Sequence, residues 1–200
     1  MIMFTKDYYE DGIWKHISGY ENYRWMPTRS IPEALDIQEY FEFDTCVDYG
    51  CAKGFLVNAL RIIGCNAWGE DISEYAVENC HSNIKEYVSL PNDKWYDLLI
   101  CKDVLEHIEE QNIPEVLQNF KKKSNQFFFV VPLGDDDRFR IREYEVDITH
   151  VTKKDEEWWI NMFKSQGMKL IKFSYSFGSM KEKWVKPHPH GNGFFILETE

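Results

Sequence analysis

Three stretches of this sequence set acids, imidazoles and small residues at spacings that can do chemistry. The first, CVDYGCAKGFLV, places Asp48 at the end of an apolar run and follows it with Gly50, Cys51, Ala52 and Gly54. Small residues there let a ligand approach the backbone closely, and loops of this kind usually hold phosphate at the positive end of a helix. A carboxylate at the mouth would repel phosphate. Two readings therefore stand: Asp48 is structural, or the ligand is cationic. The second stretch, CKDVLEH, sets Asp103 and His107 just past another apolar run, and the third, VDITH, sets Asp147 beside His150. Histidine titrates near neutrality, so each stretch offers a proton acceptor.

A fourth acid, Asp71 in WGEDIS, lies about twenty residues past the glycine loop, the spacing at which a carboxylate commonly binds ribose hydroxyls. The plainer alternative is that it caps a helix starting near Ser73. A dinucleotide fingerprint needs G-x-G-x-x-G, whereas the loop here reads G-x-A-x-G with an acid two residues ahead of it. Register and charge are both wrong for pyrophosphate. A nucleoside bearing a sulfonium and an ammonium would suit the acid.

These side chains need strand ends to hold them. Apolar runs at 44–49, 66–70, 86–90, 96–101, 125–131, 168–176 and 193–199 read as strands. Apolar residues at helical spacing in 31–41, 53–63, 73–85, 112–122 and 153–166 read as helices, the first with a proline near its start. The alternation implies right-handed crossovers and a mainly parallel sheet. The last two strands, joined only by GSMKEKWVKPHPHGN, should pair antiparallel at one edge. Residues 7–29, rich in Tyr, Trp and Gly without a clean period, read as an irregular arm.

Composition narrows the function classes. A formal charge of −11 argues against a partner held through a broad phosphate-facing surface. The basic cluster Lys121 to Lys123 falls at an expected helix end, where cations favour the dipole. Five cysteines without a CxxC pair, and an N-terminus that turns acidic before any apolar run develops, suggest reduced thiols in a cytoplasmic protein. The longest apolar run, FFFVV, is too short for a membrane span.

VDYGCAKGFLV, then GEDIS, then YDLLICKDVLEHI resemble the first, second and fourth motifs of class I S-adenosylmethionine-dependent methyltransferases. The family's loop is D-x-G-x-G-x-G, and here Ala52 replaces the middle glycine. The resemblance runs from about residue 44 to 132 and extends more loosely to the final paired strands. It implies a Rossmann-like, doubly wound α/β fold, with seven strands and helices on both faces. It also implies S-adenosylmethionine as cofactor and a single domain over 1–200. Within it, the arm and first helix would occupy 1–43, the cofactor-binding half 44–132 and the acceptor side 133–200. By position, Asp48, Gly50, Cys51, Ala52 and Gly54 would shape the methionine end of the pocket. Asp71 would hold ribose, Ile72 would lie against adenine, and Cys101 and Lys102 would line the methionine side through their backbone. Asp93 is a candidate adenine contact.

The acceptor is less legible. Base-amino methyltransferases of this fold carry Asn/Asp-Pro-Pro-aromatic where this chain has CKDVLEH, so a small, sugar-like or anionic acceptor is expected in place of nucleic acid. A neutral hydroxyl must shed its proton near transfer, and His150, His107 and Asp103 are the candidate catalytic residues, with Asp147 behind them. Asp103, Glu106, His107 and His150 also resemble the metal centre of small-RNA 2′-O-methyltransferases, although the first acid there is Glu; the expected site has no metal. HPHG at 188–191 is a nominal metal pair on an exposed loop. In the arm, Tyr20, Tyr23, Trp25 and Met26 either pack on the sheet or close over the cofactor with aromatic faces near the sulfonium, Tyr23 being the candidate cofactor contact. Arg24 and Arg29 would suit an anionic group, and the arm's wording resembles that of bacterial polysaccharide-associated methyltransferases. The charged insert at 133–150 is the expected specificity element. A dehydrogenase with an aberrant loop and a catalytically idle cofactor-binding partner are the competing classes.

Overall fold

A computed structural model describes residues 4–135 and 137–200; Met1 to Met3 of the arm and Asp136 of the insert lie outside it. In chain order the helices are α1 (Lys6–Glu10), α2 (Gly12–Lys15), α3 (Pro27–Tyr40), α4 (Phe55–Ile62), α5 (Glu74–Glu78), α6 (Ile113–Lys121), α7 (Glu156–Ser165) and α8 (Glu182–Val185). The strands are β1 (Thr45–Tyr49), β2 (Asn66–Glu70), β3 (Val88–Ser89), β4 (Leu98–Lys102), β5 (Gln126–Pro132), β6 (Met168–Ser174) and β7 (Asn192–Thr199). They form one seven-stranded sheet in the order β3-β2-β1-β4-β5-β7-β6. The first five in that order run parallel, and β7 pairs antiparallel with both β5 and β6. The expected doubly wound sheet with an antiparallel C-terminal pair is what forms.

Strands buried on both faces read as continuous apolar runs, because alternate side chains enter different cores. In β4 and β5, Leu98, Ile100, Phe128 and Val130 join α3 and α4 on one face, through Ala34, Ile37, Val57 and Leu60. Leu99, Cys101, Phe127 and Phe129 meet α6 and α7 on the other, through Leu117, Phe120, Trp159 and Phe163. The two central strands therefore have no solvent face. Their only exits are their ends, and the carboxyl ends of β1 and β4 emerge side by side, Tyr49 paired with Cys101.

Three local expectations are corrected. The helix expected at 73–85 breaks after Glu78, and a 3-10 turn covers Ser82–Ile84. The His81 N–H is claimed by the Lys53 carbonyl at 3.1 Å, so it cannot continue the helical ladder. The arm is partly helical, since α1 and α2 are single turns too short to show a period. The helix expected at 31–41 begins at Pro27, whose missing N–H costs nothing at a first turn, while Pro32 forgoes one bond further in.

Phe128 is fully buried among Phe41, Phe177 and Phe194, with ring centroids 5.2, 4.5 and 6.5 Å away. Phe128→Ala is expected to lower unfolding free energy by about 3–5 kcal/mol in urea titration. Ile171→Ala, at a position 46% exposed, should cost under about 1 kcal/mol.

Candidate functional site

The turn after β1 is built around carbonyl and carboxylate acceptors. Gly50 and Cys51 both donate their N–H to the Glu70 carbonyl, at 2.7 and 3.1 Å. Gly50 and Gly54 have φ of 77° and 72°, and a Cβ on Gly50 would collide with Val104. Ala52 sits at φ 51°, so an alanine takes a conformation the family normally gives to glycine, at a cost of roughly 1–2 kcal/mol. Its N–H is held by Asp71 Oδ2 at 2.7 Å, while Asp71 Oδ1 accepts from Ser73 N–H at 2.8 Å. The cap of α5 is Ser73, whose Oγ accepts from Ala76 N–H at 3.0 Å. Asp71 therefore ties the glycine loop to the turn after β2, and spare lone pairs remain on both oxygens.

A cavity of about 320 Å³ opens over this turn. Of the residues singled out in the sequence, Asp48, Gly50, Cys51, Ala52, Asp71, Ile72, Lys102 and Tyr23 line it, together with Asp103 and His107. Gly54 and Cys101 do not. A Cβ on Gly54 would strike Ile84, so its smallness serves packing, and the Cys101 side chain is sealed in the α6/α7 core. Asp93 is exposed and outside the lining.

The arm covers this cavity. Tyr8 and Tyr9 of α1 are buried and line it with Tyr20 and Met26, whereas Trp25 does not line it and packs behind, on Phe55 and His81. Glu10 pairs with Lys53 and accepts from Tyr75 Oη at 3.0 Å, and Ser73 Oγ donates to the Phe4 carbonyl. Nothing periodic marked Tyr8 and Tyr9 as site residues.

A second, larger cleft of about 990 Å³ adjoins the first, and Tyr20, Tyr23, Arg24, Asp103 and His107 line both. Its walls include Glu106, Tyr144, Asp147, His150, Lys181 and Trp184. Lys181 was invisible in a stretch that reads as loop. Its buried ammonium contacts Asp103 and donates to Tyr144 Oη at 3.0 Å and Asn192 Oδ1 at 2.9 Å. Burial opposes the charge on Asp103, but Lys102, 3.1 Å away, and Lys181 prevail and hold its carboxyl well below the usual range. Burial, reinforced by Asp103, drives the Glu106 carboxyl far up. Among the described residues, neither Glu106 oxygen has a hydrogen-bond partner beyond the pull of its own amide.

The two imidazoles lie with centroids 4.5 Å apart and their planes tilted by 58°. His150 Nδ1 lies 2.8 Å from the Tyr144 carbonyl. A carbonyl only accepts, so the His150 proton sits on Nδ1 and Nε2 presents a lone pair. Burial lowers both histidines, His107 to about 4 with His150 adding to the effect, so both are neutral near pH 7.

Asp48 is 5% exposed, and burial pushes its carboxyl up to about 7 against the pull of Lys102. Its ordinary value is 3.8. As pH rises from about 4 to about 7, the unfolded chain releases this proton while the folded chain keeps it, so Asp48 destabilises the free protein progressively. Asp48→Asn should therefore melt above wild type at pH 8, by on the order of 5 °C, with the gap closing toward pH 4. A gap independent of pH in thermal melts would contradict the assignment.

Comparison with known proteins accords with this architecture. The family model described as a methyltransferase domain matches residues 19–172. The ubiquinone biosynthesis O-methyltransferase of Rickettsia bellii (strain OSU 85-389) is 34% identical over 91 residues, which is 38% of this chain and 36% of that protein. The match thus spans about a third of the relative's length. The structure of a SAM-dependent methyltransferase from Archaeoglobus fulgidus superposes with a TM-score of 0.65 at 15% identity, over 87% of this chain and 95% of that one. The small RNA methyltransferase HEN1 does so at 0.64 and 18% identity, over 88% of this chain and 25% of that one. At these identities the likeness to solved structures speaks to the fold. With a domain match over most of its length and the glycine turn, ribose-position acid and sheet order in place, this chain belongs to the class I S-adenosylmethionine-dependent methyltransferases.

Proposed function

We propose that this methyltransferase moves a methyl group to an oxygen, less readily a nitrogen, of a small acceptor that is sugar-like or anionic. The observation that carries this reading is the junction of the two cavities, where a donor pocket over buried Asp48 meets a cleft bearing two neutral imidazoles. When bound, S-adenosylmethionine supplies a methyl group made electrophilic by its sulfonium. The residues fit that ligand. Asp48 offers a carboxylate to a cation, Asp71 retains lone pairs for ribose hydroxyls, and Ile72, 63% exposed, offers an apolar face to adenine. Tyr23 brings an aromatic face to the same pocket. The division into a donor half at 44–132 and an acceptor side at 133–200 is part of the proposal.

On the acceptor side, His107 or His150 would take the hydroxyl proton as the new bond forms, and the covering arm would keep water from competing. Asp103 is locked between Lys102 and Lys181 and makes a poor base, so its role is to organise charge at the junction. Arg24, exposed and without an ion pair among the described residues, supports an anionic substituent, whereas Arg29 is engaged by Glu33 at 3.3 Å. The net charge of −11 disfavours a nucleic acid. The relative's O-methyltransferase name supports oxygen as the target. Five free thiols support a reducing compartment such as the cytoplasm, and among the described residues no helix is long and apolar enough to cross a membrane.

A second reading rests on one observation. Glu106, His107 and His150 each offer a ligand atom, and these lie within 4.8 Å of one another. The partnerless Glu106 carboxyl fits such a site, while Asp103, engaged by two lysines, is not available to it. A divalent cation there would polarise an acceptor hydroxyl.

Incubation with methyl-labelled S-adenosylmethionine and a panel of phenols, sugar nucleotides, small hydroxy acids and RNA tests the proposal. Transfer to a small hydroxylated acceptor is expected. Transfer to none would favour an idle cofactor-binding partner. With an acceptor in hand, His107→Gln or His150→Gln should lower kcat by about 10²–10⁴ while cofactor affinity changes little. Activity that survives exhaustive chelation sustains the first reading; loss restored by a divalent cation selects the second.

A further inference from the structure

We infer that Thr149 and Asp147 are positioning residues that hold the His107 ring with its proton on Nδ1 and its Nε2 free to accept. The inference rests on counting protons. His107 Nδ1 lies 2.7 Å from Thr149 Oγ, and Thr149 Oγ donates to Asp147 Oδ1 at 2.6 Å. A hydroxyl has one proton, and the carboxylate takes it. Only lone pairs are left to face the imidazole, so Nδ1 must be the donor.

Asp147 is itself fixed as an acceptor. Its Oδ1 also accepts from Thr149 N–H at 2.9 Å, an Asx turn within the sequence Asp147-Ile148-Thr149. Its Oδ2 accepts from Tyr8 Oη at 2.7 Å. Burial drives the Tyr8 phenol far up, so it keeps its proton and donates. Three donors on two oxygens leave the carboxylate no reason to supply a proton of its own. The turn is docked opposite the imidazole by the chain that follows. Val151 and Thr152 donate their N–H groups to the Glu106 carbonyl at 2.8 and 3.0 Å, and Thr152 Oγ donates to the Ile108 carbonyl at 2.7 Å.

A relay of this form orients a base without itself touching the acceptor, the part a carboxylate commonly plays behind a histidine. Here the relay has a further member. Tyr8 belongs to α1, which covers the donor cavity, so the cover and the orientation of His107 share one carboxylate. As a statement about the reaction, the inference rests on His107 being the base. As a statement about the tautomer, it stands alone.

The test is ¹⁵N NMR of the full chain with ring-labelled histidine, the His107 resonances being assigned by their loss in His107→Gln. Wild type should show protonated Nδ1 and unprotonated Nε2. Thr149→Val and Thr149→Ala, which keep the fold if cofactor affinity is unchanged, should shift the ring toward the Nε2–H form. Thr149→Ser should restore the wild-type pattern. Wild type in the Nε2–H form, or a pattern unmoved in both Thr149→Val and Thr149→Ala, overturns the inference. A tautomer that changes with no loss of turnover leaves the assignment standing and removes His107 from the reaction. Loss of turnover by about tenfold or more, rescued by Thr149→Ser, supports both.

Discussion

The constraint on which this site depends is a carboxylate that folding leaves almost wholly buried, at 5% exposure. β1 is buried on both faces and hydrogen-bonded on both edges, so the acid near its end has nowhere to point except into the cavity above the strand. Desolvation penalises the charged form of Asp48, and Lys102 relieves that penalty only in part. A cationic ligand relieves the remainder. Under the proposed function, affinity for a positive donor would be stored in the free protein as this unfavourable burial, which the fold around β1 and β4 sustains.

Charge in the second, larger cleft is organised differently. Asp103 and Lys181 both adopt left-handed backbone conformations, φ 58° and 55°, without being glycine. Such conformations persist where surrounding contacts over-determine them, and they gather at functional sites. Here the over-determining contact is the ion pair between the two residues, backed by Lys102 on one side and Tyr144 and Asn192 on the other. The pair fastens the turn after β4 to the segment that leads into α8. The two cavities consequently share a wall that distant segments of the chain build together.

What the sequence made legible was whatever depends on neighbours in the chain. Strand runs with both faces apolar, the acid–glycine turn and the acid after β2 are local patterns, and they lie where the periodicity and spacing indicated. The misses have a common cause in contacts between distant segments. A helix from 73 to 85 was a fair reading of its residues until the Lys53 carbonyl, far away in sequence, took the His81 amide. Tyr8 and Tyr9 lie on a helix of five residues, below the length at which any period shows. Lys181 looked like one more lysine in a polar loop. Only the fold reveals that it is buried against Asp103. Ala52 was legible as a departure from the family's loop, but its left-handed backbone was not.

The position of β7 bears on how the protein is made. It lies between β5 and β6, and it pairs along its whole length with β5, which precedes it by some sixty residues. Until the ribosome has released Asn192 to Thr199, β5 presents the bare edge of Phe127 to Val131, an apolar template for a stray strand. Asn192, the partner of Lys181, arrives in that same segment. The Asn192 contact that holds Lys181 and the cover for the β5 edge therefore arrive together, with β7.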